Sequence, residues 1–294
     1  MASRLRRAEA RHGDCGPDGV KQRILVPADE TALAELALRT AARLSKADDV
    51  IHLLHVVPEF RTPIDVSASY GIELKERAAE HLVRTRDRLG ALPGRELVRE
   101  GEATKVIPEV ARELRVDLIV MGTHARSAAA RWMLGSVAAA VVKSGVAPVV
   151  LVRPGVKPPR EVRRILVALD GSAKSSAILD EVRPMALRCK AEVVLLRVEA
   201  VVHDPMPQFA GDVSRMATHD AGRGLQEIAD ELDRRGVTGF QVVGRGAPAK
   251  EIVRQATRLG ADLVAMATRT PLVGSVAEAV LRGAGVPVLL QKIR

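Results

Sequence analysis

Aromatic residues are nearly absent. One tryptophan, one tyrosine and three phenylalanines make up 2% of the 294 residues. Proteins that bind single-stranded nucleic acid stack bases on aromatic platforms, and here the platforms are too few and too scattered. The cores must instead be filled by Ala, Val, Leu and Ile, which suits closely packed α/β layers. Cysteine is equally scarce. Cys15 and Cys189 lie far apart with no paired spacing, as expected of two unpaired thiols in a reducing cytoplasm. Long apolar runs are missing too. Charges break each one well short of the ~20 residues of a membrane span, and the N-terminal arginines are not followed by the apolar stretch of a secretory signal. No membrane association is expected, and the expected location is cytoplasmic.

The charge is not of one sign. There are 45 Lys and Arg against 36 Asp and Glu, a net +9. The basic residues are spread along the chain and alternate with acids, the pattern of solvated helix faces rather than of a phosphate-tracking stripe. No nucleic-acid partner is expected. The one basic cluster (Arg4, Arg6, Arg7, Arg11) is interleaved with Gly13, Gly16, Pro17 and Gly19, and residues 1–20 read as a disordered tail.

What is present is a β/α alternation, stated twice. Arg23 to Asp29 reads as a buried strand ending on a carboxylate, and Thr31 to Ser45 as a helix with apolar residues at helical spacing. Val50 to Val57 is a second strand, Pro58 to Gly71 a polar loop, and Glu73 to Leu89 a charged helix. Glu96 to Arg99 is a short strand and Gly101 to Leu114 a loop and helix. Asp117 to Val120, Val137 to Lys143 and Pro148 to Val152 give a strand, a helix and a strand. The pattern then restarts. Arg164 to Asp170 echoes Arg23 to Asp29, Ala191 to Val198 the second strand, and Gly246 to Ala256 echoes Gly101 to Ala111. Asp262 to Thr268 echoes Asp117 to Thr123, Gly274 to Ala277 echoes Gly135 to Ala138, and Pro287 to Leu290 echoes Pro148 to Leu151. A repeat this long is a duplicated domain. The expected division is 21–153 and 164–294, joined by a proline-containing linker at 154–163, each domain a mostly parallel sheet covered on both faces.

The stretch from Met121 to Val152 carries the chemistry. A strand runs into a loop of small residues and then a helix opened by Gly135-Ser136. A helix start offers free backbone N–H groups and a positive dipole end, and small residues let an anion approach them. Gly145 stands where a glycine would stop that helix. His124, Arg126 and Arg131 are the side chains within the loop able to touch phosphate. Ser127 has neither a nucleophile elbow nor a third catalytic partner, so no catalytic residue is assigned. His52 and His55 are read as sharing a face of the second strand, without a third ligand, so no metal site is assigned.

These residues make the chain resemble a tandem universal stress protein. The family pattern is a glycine, two residues, a glycine, nine residues and Gly-Ser or Gly-Thr. Gly122 and Gly135-Ser136 fit it at the right spacing, with Ala125 in place of the middle glycine. A second family element is an Asp ending the first strand, usually followed by Gly-Ser. The second half has Asp170-Gly171-Ser172, and the first has Asp29-Glu30-Thr31. The resemblance implies two adenine nucleotide alpha hydrolase-like (Rossmann-like) α/β domains, each a five-stranded mostly parallel sheet between helices. It implies a stress-response protein that binds ATP through the first domain as a sensor, with little or no hydrolysis; a Mg ion is neither required nor excluded. Pro27, Ala28, Asp29 and Val56 would line the nucleoside side, and Met121, Gly122, His124, Arg126, Gly135, Ser136 and Val137 the phosphate side. Fourteen positions separate Met121 from Gly135, but eight separate Met266 from Gly274, so the second loop is too short to wrap a triphosphate. The alternatives are a nucleotide-free interaction scaffold of the same fold and a weak ATP hydrolase. In this family the last strand lies at a sheet edge and pairs across a dimer, so the two halves are expected to pair through their last strands. A homodimer is compatible with that arrangement.

Overall fold

The computed structural model describes residues 21–59, 66–88, 93–123, 134–199, 207–269 and 274–293. The first half contains strands β1 (Arg23–Pro27), β2 (Val50–Val57), β3 (Glu96–Glu100), β4 (Leu118–Gly122) and β5 (Val149–Val152). Its helices are α1 (Ala32–Leu44), α2 (Val66–Arg88), α3 (Ala103–Glu113) and α4 (Ser136–Ser144). The second half repeats the plan with β6 (Arg164–Leu169), β7 (Glu192–Glu199), β8 (Gly239–Arg245), β9 (Leu263–Arg269) and β10 (Val288–Ile293). Its helices are α5 (Leu179–Cys189), α6 (Pro207–Arg234), α7 (Pro248–Arg258) and α8 (Ser275–Gly283).

Local signals account for the helix ends. Thr31 stands in extended backbone before α1, and its hydroxyl accepts from the Ala34 N–H at 3.2 Å. Ala34, Ala37, Leu38, Ala41 and Leu44 follow at helical spacing, all buried. Gly145 ends α4 in the left-handed conformation at φ 59°, the role its position predicts. One boundary differs from the sequence reading. The expected loop over 58–71 gives way to helix from Val66, because Gly71 does not stop α2. A Cβ at Gly71 meets nothing within 4 Å; this glycine is tolerated in the helix at a cost of about 1 kcal/mol.

All strands join one ten-stranded sheet in the order β3-β2-β1-β4-β5-β10-β9-β6-β7-β8. Within each half every neighbouring pair is parallel. The halves meet at one antiparallel seam, with Val149, Val150 and Leu151 of β5 opposite Leu290, Leu289 and Val288 of β10. The last strands therefore pair with each other, as the sequence reading expects. An apolar edge strand is a template for association, and each of these two covers the other.

Side chains alternate across the sheet and feed two cores, each continuous through both halves. Ile24, Val26, Leu118, Val120 and Val150 pack on the side of α1, α2 and α5. Leu25, Ile119, Met121, Val149 and Leu151 pack on the side of α3, α4, α7 and α8. Two cations cross the seam reciprocally. Lys292 donates to the Lys143 carbonyl at the end of α4 (2.6 Å), and Arg153 Nε donates to the Ala284 carbonyl after α8 (2.9 Å). Each half thus supplies a positive charge to the negative end of the other's helix.

Candidate nucleotide site

In each half the chain leaves β1 (or β6) for one side of the sheet and returns on the other, so the order reverses between β1 and β4. Open α/β sheets leave a crevice at such a switch point, outside the carboxyl ends of the strands. In the first half a cavity of about 370 Å³ opens there. Its floor and walls include Leu54 and Val56 of β2, Met121 of β4, Ala34 of α1, and Ala103 and Ile107 of α3. Its mouth carries Pro27, Ala28 and Asp29, then Gly135, Ser136, Val137 and Ala138.

Nine of the site residues expected from sequence therefore line one crevice: Pro27, Ala28, Asp29, Val56, Met121, Gly122, Gly135, Ser136 and Val137. His124 and Arg126 lie outside the described residues, as do Ala125, Ser127 and Arg131. Sequence reasoning missed the aliphatic lining. Leu54 was within reach of strand parity, being two positions before Val56, and Ala103 and Ile107 of helical spacing, being four apart.

Three groups give the crevice its polarity. At α4, Gly135 is the N-cap (φ −55°, ψ 147°), and the first intrahelical bond runs from the Ala139 N–H to the Gly135 carbonyl at 2.9 Å. The N–H groups of Ser136, Val137 and Ala138 precede that bond and have no intrahelical acceptor. The exposed Ser136 hydroxyl stands beside them. Asp29 is also exposed, and its turn is fixed locally: the Thr31 N–H donates to Oδ1 at 3.1 Å, and the Thr31 hydroxyl donates to the same oxygen. Asp170 and Ser172 build the same turn in the second half. The departure from Asp-Gly-Ser to Asp-Glu-Thr thus preserves the turn, although Gly171 takes φ 81° and Glu30 is not among the positive-φ residues.

Behind the Asp29 turn sits a histidine that sequence did not flag. His81 Nε2 of α2 lies 3.1 Å from the Asp29 carbonyl, which only accepts, so that nitrogen carries the hydrogen. The ring of His55 meets the His81 ring edge-on, with centroids 6.0 Å apart. Burial pushes His55 below the usual imidazole range, the His81 charge adds to this, and Asp29 opposes it. The reading of His52 and His55 on one face is corrected. Positions three apart have opposite parity in a strand; His52 pairs in register with Leu25, whose side chain belongs to the opposite core. Burial also lowers the pKa of His52, with help from the charges of Arg95, Arg86 and Arg23. Among the described residues no cluster of three or more His, Cys, Asp or Glu is placed to hold a metal.

Gly122 has a reason for being glycine that is independent of any anion. A Cβ there would lie 2.3 Å from Leu33 Cγ of α1. In the second half the corresponding residue is Ala267, and β9 continues past it to Arg269, paired with β10 throughout. Arg269 Nη2 then reaches Asp170 Oδ2 at 2.9 Å and the Ser172 hydroxyl at 3.3 Å. Burial raises the pKa of Asp170, but hydrogen bonds from Ser172 and Ser175 and the Arg269 charge outweigh it, and the carboxyl is held below its usual range.

Two open α/β units of this topology, with a switch-point crevice and a Gly-Ser helix start, define a duplicated Rossmann-like protein. The comparisons with known proteins place it more closely. The family model described as "Universal stress protein family" matches residues 21–153 and again 161–292, and the chain belongs to that family as a tandem member. Universal stress protein G of Salmonella typhimurium is 32% identical over 141 residues, covering 44% of this chain and 97% of that protein. Universal stress protein Rv2623 of Mycobacterium tuberculosis is 27% identical over 302 residues, covering 92% of this chain and 96% of its own. The crystal structure of a universal stress protein from Archaeoglobus fulgidus shares the fold, with a TM-score of 0.71 at 19% identity over 92% of this chain and 96% of that one. No helix among the described residues is long and apolar enough to cross a membrane.

Proposed function

We propose that the first half binds ATP or a related adenine nucleotide, and that the chain acts as a nucleotide-responsive stress protein with little or no turnover. The observation that carries this reading is the convergence on one crevice of an aliphatic slot, a carboxylate and an uncapped helix N-terminus. The slot accepts a purine, the carboxylate accepts from ribose hydroxyls, and the N–H groups and the Ser136 hydroxyl donate to phosphate oxygens. His124 and Arg126 would act on the phosphate side. The lining supports a reading with little turnover: its one carboxylate among the described residues is Asp29, whose Oδ1 is already held by Thr31. The domain division at 21–153 and 164–294 and a cytoplasmic setting belong to the same proposal. Because β10 occupies the β5 edge, a homodimer would use another surface.

A nucleotide-free scaffold is the second reading, favoured by the packing reason for Gly122. Calorimetric titration with ATP separates the two. Binding at one site per chain, lost in Gly135→Val and tightened in Ala125→Gly, supports nucleotide binding. No heat of binding, with no nucleotide detected by mass spectrometry in the purified protein, supports the scaffold. Steady phosphate release abolished by Gly135→Val would instead establish hydrolysis.

A further inference from the structure

We propose that Arg269 is a built-in occupant of the ligand position at the switch point of the second half, pairing with Asp170 where Asp29 of the first half has no cation among the described residues. The two halves can be compared position by position. Asp29 and Asp170 follow equivalent first strands, and Thr31 and Ser172 close equivalent turns on them. Among the described residues no Lys or Arg forms an ion pair with Asp29, whereas Asp170 has Arg269 at 2.9 Å.

The reason lies in how the second half spends its shortened loop. β4 stops pairing with β5 at Gly122, opposite Val152. β9 runs two residues beyond its matching position, pairing Thr268 with Lys292 and Arg269 with Ile293. β9 thus carries its pairing two residues past the position at which β4 ends. The last strand residue projects a guanidinium over the end of β6, and its Nη2 donates to both the carboxylate and the Ser172 hydroxyl. Arg197, paired with Glu199 at 2.6 Å, packs against the same turn. Gly171 takes φ 81°, and a Cβ on it would lie 2.7 Å from Arg197 Nη1; His55 occupies the Arg197 position in the first half. A ligand using Asp170 must therefore compete with an intramolecular partner, and among the described residues no cation imposes such competition at Asp29. The chain has one ligand site and one site filled by itself, and the second half keeps its turn formed whether or not nucleotide is bound.

Hydrogen exchange followed by mass spectrometry on the full chain tests this, using wild type, Arg269→Ala and Arg269→Lys. The reporters are the amides of Ser172 and Ser175, which are bonded within the turn. Arg269→Ala is expected to speed their exchange about threefold, a modest effect because both partners of the pair are largely exposed, and Arg269→Lys to fall between. Equal rates in wild type and Arg269→Ala would overturn the proposal. The second arm rests on nucleotide binding in the first half. ATP is expected to slow exchange over residues 28–35 and leave 170–176 unchanged. Slowing of 170–176 in the wild type would show that a ligand enters despite the arginine, and would also overturn it. If ATP slows neither segment, the nucleotide reading fails, and the Arg269 variants alone decide the proposal.

Discussion

Single residues carry two kinds of meaning here, and energetic arguments separate them. Gly122 fits a phosphate motif, yet its missing Cβ is demanded by Leu33. Gly122→Ala should destabilise by about 1–3 kcal/mol through overpacking, and adding Leu33→Ala should restore part of that in a thermal melt. If Gly122→Ala leaves the midpoint unchanged, packing is not why glycine stands there. The buried histidines make a pH prediction. His52 and His55 titrate below the usual imidazole range when folded. The unfolded chain therefore binds more protons just below its own pKa of about 6.5. Their contribution is present in full above that value and is lost as pH falls through the folded pKa. Urea midpoints measured downward from pH 7.5 should fall through this window, and the decline should be shallower in His55→Gln. Asp170 follows the same sign at lower pH. Its folded pKa is depressed, so its contribution is present above about 3.9, the ordinary carboxyl value, and disappears in acid below it.

At the scale of elements, the order of strands and helices was legible because apolar runs and helical spacing are local signals. Asp170-Gly171-Ser172 and Gly135-Ser136 were legible for the same reason. Strand order within each half was not, since nothing in a single strand says which neighbour it pairs with; only the pairing of the two last strands was expected, from the family resemblance. The start of α2 was misplaced because Gly71 has a turn composition but sits in open space. The short second loop was legible as a deletion. The extension of β9 was not, because Arg269 reads as a loop charge until β10 is beside it. The aliphatic lining comes from β1, β2, β4, α1, α3 and α4, and only the fold brings these together. The reciprocal caps across the seam are another product of pairing. Lys292→Ala and Arg153→Ala should each cost about 0.3–1 kcal/mol, less at high salt, as screened charge–dipole contacts do. A larger, salt-independent loss would point to packing of the side-chain stems instead.

For the molecule as a whole, two cores run through both halves, so the halves should not unfold independently. The strand seam alone is three residue pairs long, but it is not the only bond between them. Asp49, 1% exposed at the start of β2, accepts from the Gln22 N–H at 2.8 Å and the Lys46 N–H at 2.7 Å. Its Oδ2 also takes the guanidinium of Arg188, from α5 of the other half. Removing either partner has unequal consequences. Arg188→Ala leaves the carboxylate two backbone donors, and its cation, 17% exposed, had been only partly desolvated. Asp49→Ala strips two backbone N–H groups of their acceptor and leaves Arg188 without its carboxylate. By the cost of breaking buried pairs it should lose about 3–5 kcal/mol, and Arg188→Ala clearly less. Because the cores are shared, both variants should shift one cooperative transition in circular dichroism rather than split it. If Asp49→Ala instead yields two transitions, one near the wild-type midpoint, the halves are separate folding units held by the seam alone, and the continuity of the two cores does not make them one.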